Sequence, residues 1–120
     1  MGANVKISCP LSLVPKDIEK LNVFVEPDIQ KALRWCDAVN VLRVQRERMI
    51  KSYFPDNREY SMLFGLDENK ISSIKKDILI LHPGPINRGV EITSDLVESN
   101  NSIILEQVEN GVAIRMAIMY

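Results

Sequence analysis

Histidine occurs once and cysteine twice in these 120 residues, and neither sign of charge prevails. Each scarcity removes a class of function. Cys9 and Cys36 are too few for a disulfide scaffold, and no set of three or four close ligands marks a zinc site. Both border apolar stretches, so they are expected to be buried free thiols in a reducing, cytoplasmic setting. Lys+Arg 15 against Asp+Glu 16 gives a net charge of -1. That balance provides no global field for nucleic acid or an acidic membrane surface. No apolar run approaches the roughly 20 residues of a membrane span. The start, MGANVK, lacks a signal-peptide core, and Lys6 stands where a myristoylation pattern needs Ser or Thr. Repeats, linkers and low-complexity segments are also missing.

What remains is globular composition, 46% hydrophobic and 26% charged, at the length of one ordinary domain. Short β-branched runs alternate with helical patterns. Strands are expected at Asn4–Ser8, Val23–Glu26, Ala38–Leu42 and Asp77–His82. A helix is expected to open at Pro15, where a missing N–H costs nothing. Another follows in Pro27–Cys36, with Ile29, Leu33 and Trp35–Cys36 at helical spacing. The polar segment Arg43–Tyr60 reads as a long loop leading to helices around Glu59–Phe64 and Glu68–Lys76. The methionines and Trp35 read as core.

Strands separated by helices predict an α/β fold with a Rossmann-like parallel sheet. Ligands in such sheets bind outside the carboxyl ends of the strands. The last helix, from about Ser102, places Leu105, Val108, Val112 and Met116 on one stripe, and VAIRMAIMY is apolar nearly all round. A helix of that kind is buried. Some further mass, a second domain or a partner, is expected to cover it.

Two loops leave strand ends. LRVQRER (Leu42–Arg48) sets three arginines directly after a strand. The guanidinium fork suits a carboxylate or phosphate, although a solvated loop with Glu47 paired locally would look the same. In LHPGPINRGVEI (Leu81–Ile92), Pro83 and Pro85 fix two φ angles and remove two donors, while Gly84 permits close backbone approach. Such a loop can offer carbonyl acceptors to an amino group, or be an ordinary tight turn. An X–Pro bond there is a candidate for the cis form. His82, with no second histidine or cysteine nearby, reads as a structural residue bonded to backbone.

HPGPINRGVEI, VLRVQRERM and ILEQVENGVAIRMA together resemble the aspartate carbamoyltransferase family, in its C-terminal, aspartate-binding half, across essentially the whole chain. The resemblance implies carbamoyl transfer from carbamoyl phosphate to L-aspartate in pyrimidine biosynthesis, with no metal or organic cofactor. It implies that Arg43 holds an aspartate carboxylate with Gln45 beside it. The backbone of Gly84 and Pro85 would contact carbamoyl phosphate and the attacking amine. His82 and Pro83 would shape that turn, and Arg46, Glu47 and Arg48 would position a mobile loop. Arg88, Glu91 and Arg115 would be structural. The ornithine-specific relatives resemble His-Cys-Leu-Pro where this chain has HPGP.

The family's Ser-Thr-Arg-Thr phosphate loop is not found in this sequence, nor is the first strand and helix of its aspartate domain. The chain is therefore expected to be a single partial domain over 1–120, truncated at its N-terminal side. A gap is expected where the first strand would lie, and the helix over 102–120 should pack on the missing carbamoyl-phosphate domain. Alone it is expected to be inactive. The alternatives are a non-catalytic interaction module retaining the fold and an ornithine-type transferase. The complete enzyme would be a homotrimer, with dihydroorotase or a regulatory chain as partners in some relatives.

Overall fold

Val5–Ile7 forms strand β1, and it pairs in parallel with β2, Val23–Val25, in the register Val5 to Val23. The computed structural model describes residues 2–45, 56–74 and 77–120. Between the two strands the chain makes 3-10 turns at Leu11–Leu13 and Ile18–Leu21, not the helix expected from Pro15. Asp17 and Asn22 sit at φ 63 and φ 54, the left-handed region. Those two residues bracket the second turn, so no helical run can propagate through it.

Helix α1, Ile29–Trp35, begins where Asp28 accepts hydrogen bonds from the N–H groups of Gln30 at 2.9 Å and Lys31 at 3.2 Å. An N-cap carboxylate of this kind satisfies two otherwise orphaned donors. Strand β3, Ala38–Asn40, follows directly. Helices α2 (Asn57–Leu63) and α3 (Glu68–Ser72) repeat the same start, each opened by an aspartate, Asp56 and Asp67. Strand β4, Leu79–Leu81, pairs in parallel with β3, Ala38 opposite Leu79. The short helix α4, Ser94–Val97, was not expected from the sequence. Residues 101–103 then run beside β4, with Ile80 N–H donating to Asn101 and Ile103 N–H to Ile80. Helix α5 is Ile104–Met119.

The parallel α/β class is observed. Among the described residues the strands form two separate parallel pairs, β1–β2 and β3–β4, and no ladder joins β1 to β3. The core lies on one side of that divide. Leu33, Val41, Leu66, Ile78, Ile80, Ile92, Leu96 and Ile104 pack together, and Ile80 is completely buried.

Several sequence expectations are corrected. Trp35 is 41% exposed, at the end of α1, with the Lys6 ammonium 4.5 Å from its ring centroid. Met62, Met116 and Met119 are also exposed: α2 has no buried residue, and the end of α5 that carries Met116 and Met119 lies outside the core. Both cysteines are half-buried thiols, and burial still raises the Cys9 thiol pKa. No such correction applies to helix α5, whose expected cover is a further mass: within this chain it is exposed over almost its whole length, with Leu105 and Met119 each 82% accessible. Only its first turn, at Ile104, enters the core.

Candidate functional site

Strands β3 and β4 are parallel neighbours, so the chain leaves both at the same end of the pair. The two loops singled out in the sequence are thereby brought side by side. After β3, Val41 and Val44 are buried while Arg43 and Gln45 are half-buried. Arg46, Glu47 and Arg48 lie outside the described residues.

After β4, His82 is wholly buried and Pro83 and Pro85 are exposed. Gly84 has φ 68, and the Gly84–Pro85 peptide is cis. The Gly84 N–H donates to His82 Nδ1 at 2.9 Å. That bond fixes the tautomer: with Nδ1 accepting, the ring proton resides on Nε2. Nε2 lies 3.4 Å from Glu91 Oε1, although not aligned as a hydrogen bond. Burial lowers the His82 pKa, against the opposing pull of Glu91. The imidazole is therefore a neutral brace for the turn.

Glu91 is 1% exposed. Its backbone carbonyl accepts from Leu66 N–H at 2.9 Å, and its Oε1 accepts from Asn87 N–H at 2.6 Å. Tyr60 stands close enough to feel its charge. Its phenol is pushed up to about 12, by burial first and then by Glu91 and Cys9. Asn87 was not singled out in the sequence. Its Nδ2 donates to the Val44 carbonyl at 3.1 Å, and its Oδ1 receives Arg43 Nε at 3.5 Å. One side chain from the second loop thus holds both backbone and guanidinium of the first. Its only prior signal was a polar residue two positions after a proline-stiffened turn. Arg88 lies away from this contact, exposed and 3.4 Å from Glu98.

Chemically, the arrangement places a guanidinium and a donor-poor, carbonyl-bearing turn at one end of a parallel strand pair. An anionic group would suit the first and an N–H-bearing group the second. Among the described residues no cluster of His, Cys, Asp and Glu could hold a metal ion, and no helix is long and apolar enough to cross a membrane.

In parallel α/β sheets generally, ligand sites lie outside the carboxyl ends of the strands. Residues 1–120 match the family described as "Aspartate/ornithine carbamoyltransferase, Asp/Orn binding domain". The chain belongs to that family. It is 60% identical over 120 residues to the aspartate carbamoyltransferase catalytic subunit of Flavobacterium psychrophilum, covering all of this chain and 39% of that protein. Identity to the corresponding subunit of Desulforapulum autotrophicum is 47% over 120 residues, covering 100% of this chain and 38% of the relative.

Among solved structures, aspartate transcarbamoylase of Trypanosoma cruzi in complex with carbamoyl phosphate superposes with a TM-score of 0.77. The identity is 19%, covering 96% of this chain and 39% of that one. Ornithine carbamoyltransferase of Burkholderia thailandensis gives a TM-score of 0.71 at 22% identity, covering 95% of this chain and 37% of that one. These two likenesses speak to the fold. The chain spans about two-fifths of the length of the relatives it matches.

Proposed function

We propose that this chain supplies the aspartate end of a carbamoyltransferase site, for the reaction of carbamoyl phosphate with L-aspartate to N-carbamoyl-L-aspartate and phosphate in pyrimidine biosynthesis. The observation that carries the proposal is the Arg43–Asn87 contact, which sets a carboxylate-binding guanidinium against the loop that bears HPGP. In this reading Arg43 grips a carboxylate of aspartate with Gln45 beside it, and the carbonyls of Gly84 and Pro85 accept from the carbamoyl amide and the attacking amine. Pro83 and His82 keep those carbonyls in place. Arg46, Glu47 and Arg48 would serve as positioning residues for the substrates.

The chemistry needs little more from this half. The amine nitrogen bonds to the carbonyl carbon, the nitrogen gives up a proton, and the carbon–oxygen bond to phosphate breaks. Orientation and stabilisation of the tetrahedral oxyanion dominate such a step. The phosphate-binding groups would come from a carbamoyl-phosphate domain, against which α5 packs, and the complete enzyme would be a homotrimer. HPGP and the guanidinium favour an acidic over a cationic amino acid, and the named relatives at 60% and 47% identity are aspartate enzymes.

The test is calorimetric titration with a bisubstrate analogue joining phosphonoacetyl and L-aspartate. It is run on the chain alone, on the chain with a separately produced carbamoyl-phosphate half, and on Arg43→Ala in both forms. Binding on complementation that is lost in the variant is expected. A stable two-part complex that ignores the analogue would instead favour a non-catalytic interaction module.

A further inference from the structure

The two loops of the site are joined by a line of polar contacts whose middle members, Asn87, Glu91 and His82, are not assigned to substrate. It starts at Arg43 Nε, 3.5 Å from Asn87 Oδ1. It passes from the Asn87 backbone N–H to Glu91 Oε1 at 2.6 Å, then across 3.4 Å to His82 Nε2. It ends at the Gly84 N–H, 2.9 Å from Nδ1 of the same imidazole. A side branch, Asn87 Nδ2 to the Val44 carbonyl at 3.1 Å, secures the backbone immediately after Arg43.

Burying a carboxylate is costly unless it is paired or hydrogen-bonded. Among the described residues, buried Glu91 is not ion-paired to a lysine or arginine, and its Oε2 has no hydrogen-bond partner. What it does have is a fixed backbone, through Leu66, and one oxygen that meets both Asn87 and His82. That oxygen ties the second loop together, and Asn87 carries the link on to Arg43 and Val44 of the first.

We propose that Asn87 is a positioning residue that acts through Arg43, and that with Glu91 it couples the carboxylate-binding arginine to the His82–Pro85 turn. The proposal rests on the reading of the site given above. Asn87 aims the guanidinium by its side-chain oxygen and anchors the Val44 backbone by its nitrogen. Glu91 holds Asn87 at a set distance from the imidazole that braces Gly84. Carboxylate grip and carbonyl acceptors are thereby held in one frame, so a shift of one loop is transmitted to the other.

The test is a double-mutant cycle of Asn87→Ala and Arg43→Lys on affinity for the phosphonoacetyl-aspartate analogue, in the chain complemented by its carbamoyl-phosphate half. A lysine has no Nε–H for Asn87 to receive. Asn87→Ala is expected to weaken binding by about tenfold with Arg43 present, and by less than about twofold in the Arg43→Lys background. Steady-state kinetics should show KM for L-aspartate rising while KM for carbamoyl phosphate stays nearly constant. A thermal melt checks folding. Asn87→Ser, too short to reach Nε, is the second variant should the alanine form not fold, and the same loss is expected.

Additive effects of the two substitutions, or an equal rise in both KM values, would overturn the coupling and leave the functional reading standing. If the unsubstituted two-part complex does not bind the analogue, both fall together.

Discussion

The backbone N–H of Gly84 donates to Nδ1 of His82 at 2.9 Å, so the turn after β4 is closed by the chain's only histidine. Burial lowers that imidazole's pKa below its ordinary 6.5. Above 6.5 the group is neutral in both folded and unfolded chains. As pH falls through 6.5 the unfolded chain takes a proton that the folded chain refuses, so stability falls until the lowered native value is passed. Urea denaturation between pH 7.5 and 5.5 should show this loss, and His82→Asn should remove that part of the slope. A wild-type curve flat across this window would contradict a neutral, buried brace.

Gly65 is the residue at which the backbone of α2 meets the loop holding Glu91. A Cβ there would stand 2.6 Å from both the Ser61 and the Val90 carbonyl oxygens. Neither oxygen is the end of a flexible side chain, so the backbone must move. Gly65→Ala should cost about 3 kcal/mol. Equilibrium unfolding of the variant against wild type provides the number, and a change under about 0.5 kcal/mol, the range of a neutral surface substitution, would show that the two segments can part freely.

Asp67 and Lys70 form a small clamp. Asp67 caps α3 by accepting from Lys70 N–H at 2.8 Å, and the Lys70 ammonium meets the same carboxylate at 3.1 Å and the Gly65 carbonyl at 2.6 Å. Burial pushes the Asp67 carboxyl pKa up, but these bonds outweigh it and hold it below 3.8. Its contribution is therefore complete above that pH and is lost as pH falls through the lowered value. Asp67→Ala should destabilise by about 1 kcal/mol at pH 7. The difference from wild type should shrink under strong acid, which denaturant titrations at both pH values would reveal.

Helix α5 provides a different kind of test. Val112 and Met116 are 49% and 63% exposed, yet belong to its apolar stripe. If this face docks on the carbamoyl-phosphate half, Val112→Glu and Met116→Glu should change the stability of the isolated chain by less than about 0.5 kcal/mol. Each should weaken association with that half by more than tenfold, on the order of the loss of an interface anchor. Unchanged association by analytical ultracentrifugation would assign the stripe to some other contact.

Sequence patterning revealed the strands because each is a short β-branched or aliphatic run, as in Val5–Ile7 and Leu79–Leu81. It overstated their lengths, since apolar residues continue beyond the ends of the paired strands, as at Val41 and Leu42 after β3. Pro15 misled because a proline that suits a helix start suits a turn equally well, and Asp17 at positive φ decides between them. Trp35 misled because helical spacing places a residue on a face without saying how far that face extends. His82 was legible from the absence of companions. Asn87 was not, because its three contacts join positions 43, 44 and 91, and periodicity does not report pairings so distant in sequence.

Leu33 is the first residue along the chain to be fully buried, and the β1–β2 pair contributes none to the core. The molecule should therefore open in stages. Amides in Val5–Ile7 and Val23–Val25 should exchange with solvent at a low free-energy cost, while those of Ile80 and its neighbours exchange only on global unfolding. A protease should nick the connection between β1 and β2 and leave the loops around Arg43 and Gly84 intact. The site's frame would then outlast the end of the chain that precedes it.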